Sequence, residues 1–250
     1  MKLSFQKLFK KKPKRPEDLQ NIINTDKFSS FDSIVKAVHK TGIQIENLII
    51  GIDFTNSNEF SGTVKYNSSM HSGSSPYKKC LMQLKSCFNQ LKVKKVFAYR
   101  FGCSETTDER VLPLSDEANV ISIDEVIRAY DKAVKSVELS GPTSYQPMFQ
   151  EAMKISNQQM TLLIILTDGD IQNKQRDMQA LIELSKFPIA CCAIGFGDGP
   201  FNTMEEFDDM IGRKFDNFQF AEYDDGMDVG LDVFQELSTQ MEDAKLLGYL

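Results

Sequence analysis

Two stretches of the chain carry apolar residues on both faces, not at every second or third position. They are "NLIIGIDF" (47–54) and "MTLLIILT" (160–167), and "PIACCAIGF" (188–196) comes close. A strand with both faces buried has this pattern, so these segments predict interior strands of a parallel sheet covered by helices on both sides. Between them the spacing turns helical. Ile34, Val35 and Val38 mark a helix that stops before Gly42, and further helices are predicted at about 76–92, 123–137, 145–156, 174–186, 203–212 and 228–246. "KVFAYRF" (95–101) and "DNFQFAEY" (216–223) supply two more strands. Residues 61–74, rich in Ser, Gly and Asn, predict a loop, and 103–123 a hairpin-like excursion at the sheet edge. Strands alternate with helices without linker or repeat. The expectation is one α/β domain with a doubly wound, mostly parallel sheet and helices on both faces, as right-handed crossovers dictate.

Charge divides the chain once. Residues 1–16 carry seven Lys and Arg and no acid, so removing seven from the formal net charge of −6 leaves −13 for residues 17–250. We therefore divide the chain into a basic arm, 1–20, and a domain, 21–250. An acidic body argues against nucleic acid as a partner. In the arm, Phe5, Leu8 and Phe9 share one helical face with lysines around it, which suits weak contact with an anionic membrane through residues 2–15. Pro13 and Pro16 limit any such helix, and Lys2 in place of glycine rules out N-myristoylation. No apolar stretch approaches a membrane span, and the N-terminus is too basic for a signal peptide. The five cysteines (80, 87, 103, 191 and 192) form an odd set without a C-x-x-C pair, which fits a reducing, cytoplasmic setting. The sequon at Asn67 is then loop composition.

The chemistry sits where buried strands should end. Asp53, Thr55 and Ser57 follow the first strand, Thr143 lies in the "SGPTS" turn, and Asp168 and Gly169 end the "LLIIL" strand. In open α/β sheets ligands bind at the carboxyl ends of strands, near the switch in strand order. Two carboxylates and three hydroxyls form an all-oxygen set suited to a hard cation, Mg²⁺ or Mn²⁺. Side chains two apart on an extended chain point the same way, so 53, 55 and 57 are expected to converge on one ion. With so few charged ligands the ion keeps water in its remaining positions, and an Asp or Glu of a protein partner can displace one. D-x-[ST]-x-[ST] alone arises in about one unrelated chain in five from residue usage. The plainer alternative is that Asp53 and Thr55 cap a turn.

"LIIGIDFTNSN", "LSGPTSYQP", "IILTDG" and "AIGFGDGPFNTMEEFDDMIGRKFDNFQF" resemble, in order and from about Phe28 to the C-terminus, the von Willebrand factor A domain of copines. The version in plant copine-like RING-type ubiquitin ligases is more similar still. The resemblance implies a metal-ion-dependent adhesion site. Asp53, Thr55 and Ser57 match its first loop, Thr143 its second and Asp168 its third, the last acting through water. It implies a non-catalytic adaptor or signalling domain that binds protein partners. Copines carry two C2 domains ahead of this module and the plant ligases a RING behind it. Neither is found in this sequence, so calcium-dependent membrane docking and ligase activity are not expected of it. The glycine-rich "FGFG" turn of the family stands here as Phe101-Gly102-Cys103-Ser104.

The enzyme worth weighing is a Mg²⁺-dependent phosphohydrolase using Asp53 or Asp168. Its motif needs a second acid two residues on, where Asp53 is followed by Thr55; Asp168 does have Asp170, but Gln172 stands where Thr or Val is required. A serine hydrolase is weaker, with no G-x-S-x-G elbow. "GFGDG" lacks dinucleotide spacing and predicts a strand-to-helix turn. Asp224, Asp225, Asp228 and Asp232 lack EF-hand order and are expected to serve a helix N-terminus. Cys191 and Cys192 read as buried and inert, and His71 as a solvated loop residue.

Overall fold

The computed structural model describes residues 28–250, apart from 117, 121 and 170. The basic arm and Asp170 therefore lie outside the described residues. Five strands run parallel: β1 (Asn47–Asp53), β2 (Lys95–Phe101), β5 (Thr161–Thr167), β6 (Ile189–Gly195) and β7 (Phe218–Glu222). The spatial order is β3 (Leu112–Pro113), then β2-β1-β5-β6-β7. Two short strands, β3 (Leu112–Pro113) and β4 (Asn119–Val120), lie end to end along β2, both antiparallel to it. They are the expected edge excursion, and they cover the open edge of β2.

Among the described residues eight α-helices complete the alternation: α1 (Phe31–Lys40), α2 (Pro76–Leu91), α3 (Ile123–Ser136), α4 (Gln146–Ser156), α5 (Lys174–Leu184), α6 (Asn202–Asp208), α7 (Val229–Phe234) and α8 (Leu237–Leu246). Alternate β1 side chains enter different cores. Leu48, Ile50 and Ile52 pack with α1, α2, α3, α7 and α8, whereas Ile49 packs with α4, α5 and α6. Every residue of β1, β5 and β6 is buried, which is why their sequences show no polar alternation. Gly51 sets how near α4 comes, because an added Cβ would stand 2.9 Å from Met148 Cε.

Two predicted helices are shorter than their spacing suggested. The expected helix 228–246 breaks between α7 and α8. Gln219 on β7 donates to the Asp232 carbonyl (2.7 Å) and accepts from the Glu236 amide (3.4 Å), taking the place of the helical bond between them. The expected 203–212 helix stops at Asp208, where buried Arg213 donates to the carbonyls of Asp208 (2.6 Å) and Met210 (2.8 Å).

The chain leaves β1 toward β2 on one side and later lays β5 on the other. Strand order therefore reverses between β1 and β5, and the crevice at their carboxyl ends is the ligand position for this architecture.

Candidate metal centre

Asp53 closes β1 with none of its surface exposed. Its Oδ1 accepts from the Thr55 amide (2.8 Å) and its Oδ2 from the Thr167 hydroxyl (2.8 Å). Thr55 remains extended and bridges Ser140 of the second loop, while the Asn56 amide donates to the Ser140 carbonyl (2.7 Å). That pairing brings the loop carrying Thr143 alongside the first.

Alternation along an extended chain does not account for Ser57, because a 3-10 turn begins at Asn56 and runs to Glu59. The turn itself brings the Thr55 and Ser57 hydroxyls to 2.9 Å. Buried Asn58 fixes it by donating to both the carbonyl and the hydroxyl of Thr55 (3.1 Å each), and the Tyr77 hydroxyl donates to the Asn58 carbonyl oxygen. With Thr55 as donor to Ser57, its Oγ1 accepts only from Asn58 and keeps a lone pair for a cation.

Thr143 joins Thr55 and Ser57 in lining a cleft of about 410 Å³, with Ser140 and Gln172 on its walls. Asp168 is only 5% exposed, and its Oδ2 accepts from Ser61 Oγ (2.8 Å), a residue of the first loop. Neither carboxylate lines the cleft; both are buried at the ends of β1 and β5. The five expected residues are therefore gathered at one sheet edge, with hydroxyls toward the cleft and carboxylates buried.

Burial, followed by the charge of Asp168, pushes the Asp53 carboxyl up to about 7, against opposing hydrogen bonds from Thr55 and Thr167. Two buried carboxylates, one raised by the charge of the other, favour a shared proton or a shared cation. Oxygen donors with spare lone pairs, two of them carboxylates, suit a hard divalent ion. Among the described residues no group of three His, Cys, Asp or Glu is arranged to hold a metal, so hydroxyls must complete this site.

Four supporting residues escaped the sequence reading. Thr167 donates to Asp53 and accepts from the Tyr145 hydroxyl (2.9 Å) and the Gly169 amide (3.0 Å), which uses its full capacity. Asn58 and Ser61 act as described above. Asp177 on α5 accepts from Ser144 Oγ (2.9 Å) and from the amides of Tyr145 (2.7 Å) and Gln146 (2.6 Å), pinning the turn after Thr143. Burial pushes its carboxyl above the usual range, and those three donors oppose the shift. A threonine ending an apolar strand was the one available signal for Thr167. Burial also holds the Tyr77 and Tyr145 phenols well above 10, so both stay donors.

Gly102 retains the one feature of the family turn that this edge needs. Its φ is +74°, and an added Cβ would lie 2.2 Å from Thr55 Cγ2 and 3.3 Å from Asp53 Oδ1. Cys103 is buried beside it, as are the other four cysteines, all free. "GFGDG" is the expected turn: the Asp198 amide donates to the Ser61 carbonyl (2.7 Å), and Asp198 Oδ1 and Oδ2 accept from the amides of Lys65 and Val64. Asp228 accepts from the Leu231 amide (3.1 Å) and caps α7, whereas Asp225 pairs with Lys79. His71 corrects the expectation of a solvated side chain. Its ring stacks on Phe54 at 4.5 Å, Nδ1 meets the Tyr130 hydroxyl at 2.9 Å, and burial lowers its pKa to about 4.

This parallel sheet, with its site at the β1/β5 switch, is the von Willebrand factor A architecture. The SpRpn10 VWA domain aligns at a TM-score of 0.54 and 12% identity, covering 76% of this chain and 93% of that one. Manganese-loaded Plasmodium vivax TRAP protein aligns at 0.51 and 16% identity, covering 77% and 74%. The family model described as Copine matches residues 68–247, and the chain belongs to the copine family. It is 33% identical over 222 residues to the E3 ubiquitin-protein ligase RGLG4 of Arabidopsis thaliana, which covers 79% of this chain and 55% of that protein. The chain thus spans about half the length of that relative.

Proposed function

We propose that this chain is a non-catalytic docking domain that binds a protein partner through a divalent cation. Asp53, Thr55, Ser57, Thr143 and Asp168 hold Mg²⁺ or Mn²⁺, and the partner supplies an acidic side chain to an open position. The ion neutralises the two carboxylates and attracts the partner's carboxylate; the protein's own groups orient the ligands. The observation that carries the reading is the buried Asp53–Asp168 pair, with the Asp53 carboxyl held near 7 by burial and by its neighbour. The manganese-loaded neighbour of this fold supports a divalent ion.

Phe60 and Val64 favour a macromolecular partner over a small molecule. Both stand exposed, at 67% and 85%, on the loop that follows Ser57, and Asp198 fixes that loop. An exposed aromatic on the loop that follows Ser57 suits an interface anchor. The experiment is a pull-down from the source cell in Mg²⁺ and in EDTA, with Asp53→Ala alongside. Partners retained equally in EDTA would place the interface elsewhere.

The phosphohydrolase alternative predicts Mg²⁺-dependent turnover of a generic phosphoester, lost in Asp53→Asn. Thr55 supplies no acid for that chemistry, which keeps it second. Ligase activity is not part of the proposal for this chain. No described helix is long and apolar enough to cross a membrane. Cytoplasmic residence, the domain limits 21–250 and weak anionic-membrane contact through residues 2–15 complete the proposal.

A further inference from the structure

A second cleft, of about 470 Å³, opens beside the first and shares Asn56 with it. Phe54, His71, Val137 and Leu139 give it apolar and aromatic walls, and Glu59 and Glu138 line it from opposite segments of the chain. No Lys or Arg is among its described lining residues. Neither glutamate forms an ion pair with any described residue. Two carboxylates and an apolar wall on one cleft, with no cation of the chain's own among its described lining, complement a side chain that joins an aliphatic stem to a positive head.

The walls are fixed in advance. Glu59 sits on the 3-10 turn that Asn58 secures. On the other side, the Glu138 carbonyl accepts from the Ser104 amide (3.0 Å), and Leu139 bridges Cys103. The His71 ring is held between Phe54 and the Tyr130 hydroxyl. A preformed cleft loses little freedom on binding, so even one side chain can bind measurably.

The geometry points to this cleft as a subsite for a basic side chain, arginine or lysine, of the protein partner. An aliphatic stem would lie against Val137, Leu139 and the aromatic wall while the charged head meets Glu59 and Glu138. The arginine fork suits two carboxylates better than the lysine point charge. The inference rests on the proposed docking role only for its source of ligand. It adds that the partner motif holds a base near the acid that reaches the metal, within the span of two clefts that share Asn56.

The test uses N-acetyl-arginine methylamide as the probe, titrated into the full chain in Mg²⁺ while the histidine ring resonances are followed by NMR. His71 is expected to shift saturably with a millimolar dissociation constant, and His39, on α1, serves as the internal reference. The Glu59→Gln/Glu138→Gln double variant, altered only at exposed positions, should bind at least ~10-fold more weakly, since the charge pairs are gone. The uncharged probe N-acetyl-glutamine methylamide should leave His71 unmoved. A linear response, equal binding by the double variant or equal binding of the uncharged probe would overturn the subsite. Repetition in EDTA separates the two readings. Arginine binding that persists in a protein with no metal response sinks the metal proposal and leaves this one standing; a metal response without arginine binding does the reverse.

Discussion

Replacing Asp53 with asparagine should stabilise the metal-free protein while abolishing its response to metal. The carboxyl is raised from 3.8 to about 7, first by burial and then by Asp168. Between those pH values the folded state binds more protons than the unfolded one, so this group's contribution to stability is complete below about 3.8 and is lost as pH rises to about 7. The rise to about 7 sets an upper bound of about 4 kcal/mol on what ionised Asp53 costs the fold. Asparagine escapes that penalty, but its amide nitrogen cannot accept from the Thr167 hydroxyl as Oδ2 does, a loss of about 1 kcal/mol. A net gain of about 1–3 kcal/mol should raise the melting temperature by roughly 2–10 °C in a domain of this size. The assay is thermal unfolding in EDTA from pH 4 to 8, wild type beside Asp53→Asn. The variant's advantage should grow from pH 4 to 7 and then level. Mg²⁺ or Mn²⁺ at tenfold its Kd adds about 1.4 kcal/mol to the wild type, roughly 3–6 °C, and should add nothing to the variant. A variant less stable than wild type at pH 8 in EDTA would refute the electrostatic account. Equal metal shifts in both proteins would refute the site.

Thr167→Val keeps the shape but strands the Tyr145 hydroxyl and the Gly169 amide, so it should cost about 1–3 kcal/mol in chemical denaturation and weaken the metal-induced melting shift. Gly102→Ala meets both a φ of +74° and a 2.2 Å approach to Thr55; about 1–3 kcal/mol should be lost, and the melting shift in Mg²⁺ should fall with it. Ser57→Ala and Thr143→Ala should unfold close to wild type by circular dichroism yet capture less partner in Mg²⁺, and unchanged capture would remove both hydroxyls from the site. For the arm, changing Lys10, Lys11 and Lys12 to Gln should release the protein from phosphatidylserine vesicles at low salt, each lysine contributing about 1 kcal/mol. If wild type and variant sediment alike, the arm carries no membrane affinity.

What could be read from the sequence, and what could not, follows from how far each interaction reaches along the chain. The strands were legible because burial on both faces leaves an unbroken apolar run, as in β1 and β5, and the edge pair β3 and β4 because its segment broke the alternation of strand and helix. Asp53, Thr55 and Asp168 were legible for a related reason: a polar residue ending such a run has no core to enter and needs another partner. Strand alternation gives the wrong geometry for Ser57, since it ends at Asn56 and a turn brings the hydroxyls together. Asp177 was invisible because the amides it accepts from lie 31 and 32 residues away, and on α5 it resembles any helical acid. Gln219 was likewise unreadable as the breaker of the last helix, because it works across a sheet-to-helix contact. Periodicity identifies which face of an element is buried, whereas a carboxylate that holds a loop 30 residues away leaves no period. Thr167 lies between the two cases. Its hydroxyl at the end of an apolar strand is a local oddity, and its meaning depends on Asp53, 114 residues earlier. A search for metal-site support in related sequences should therefore begin with hydroxyl-bearing residues at the last position of apolar strands, ahead of acids elsewhere on the surface.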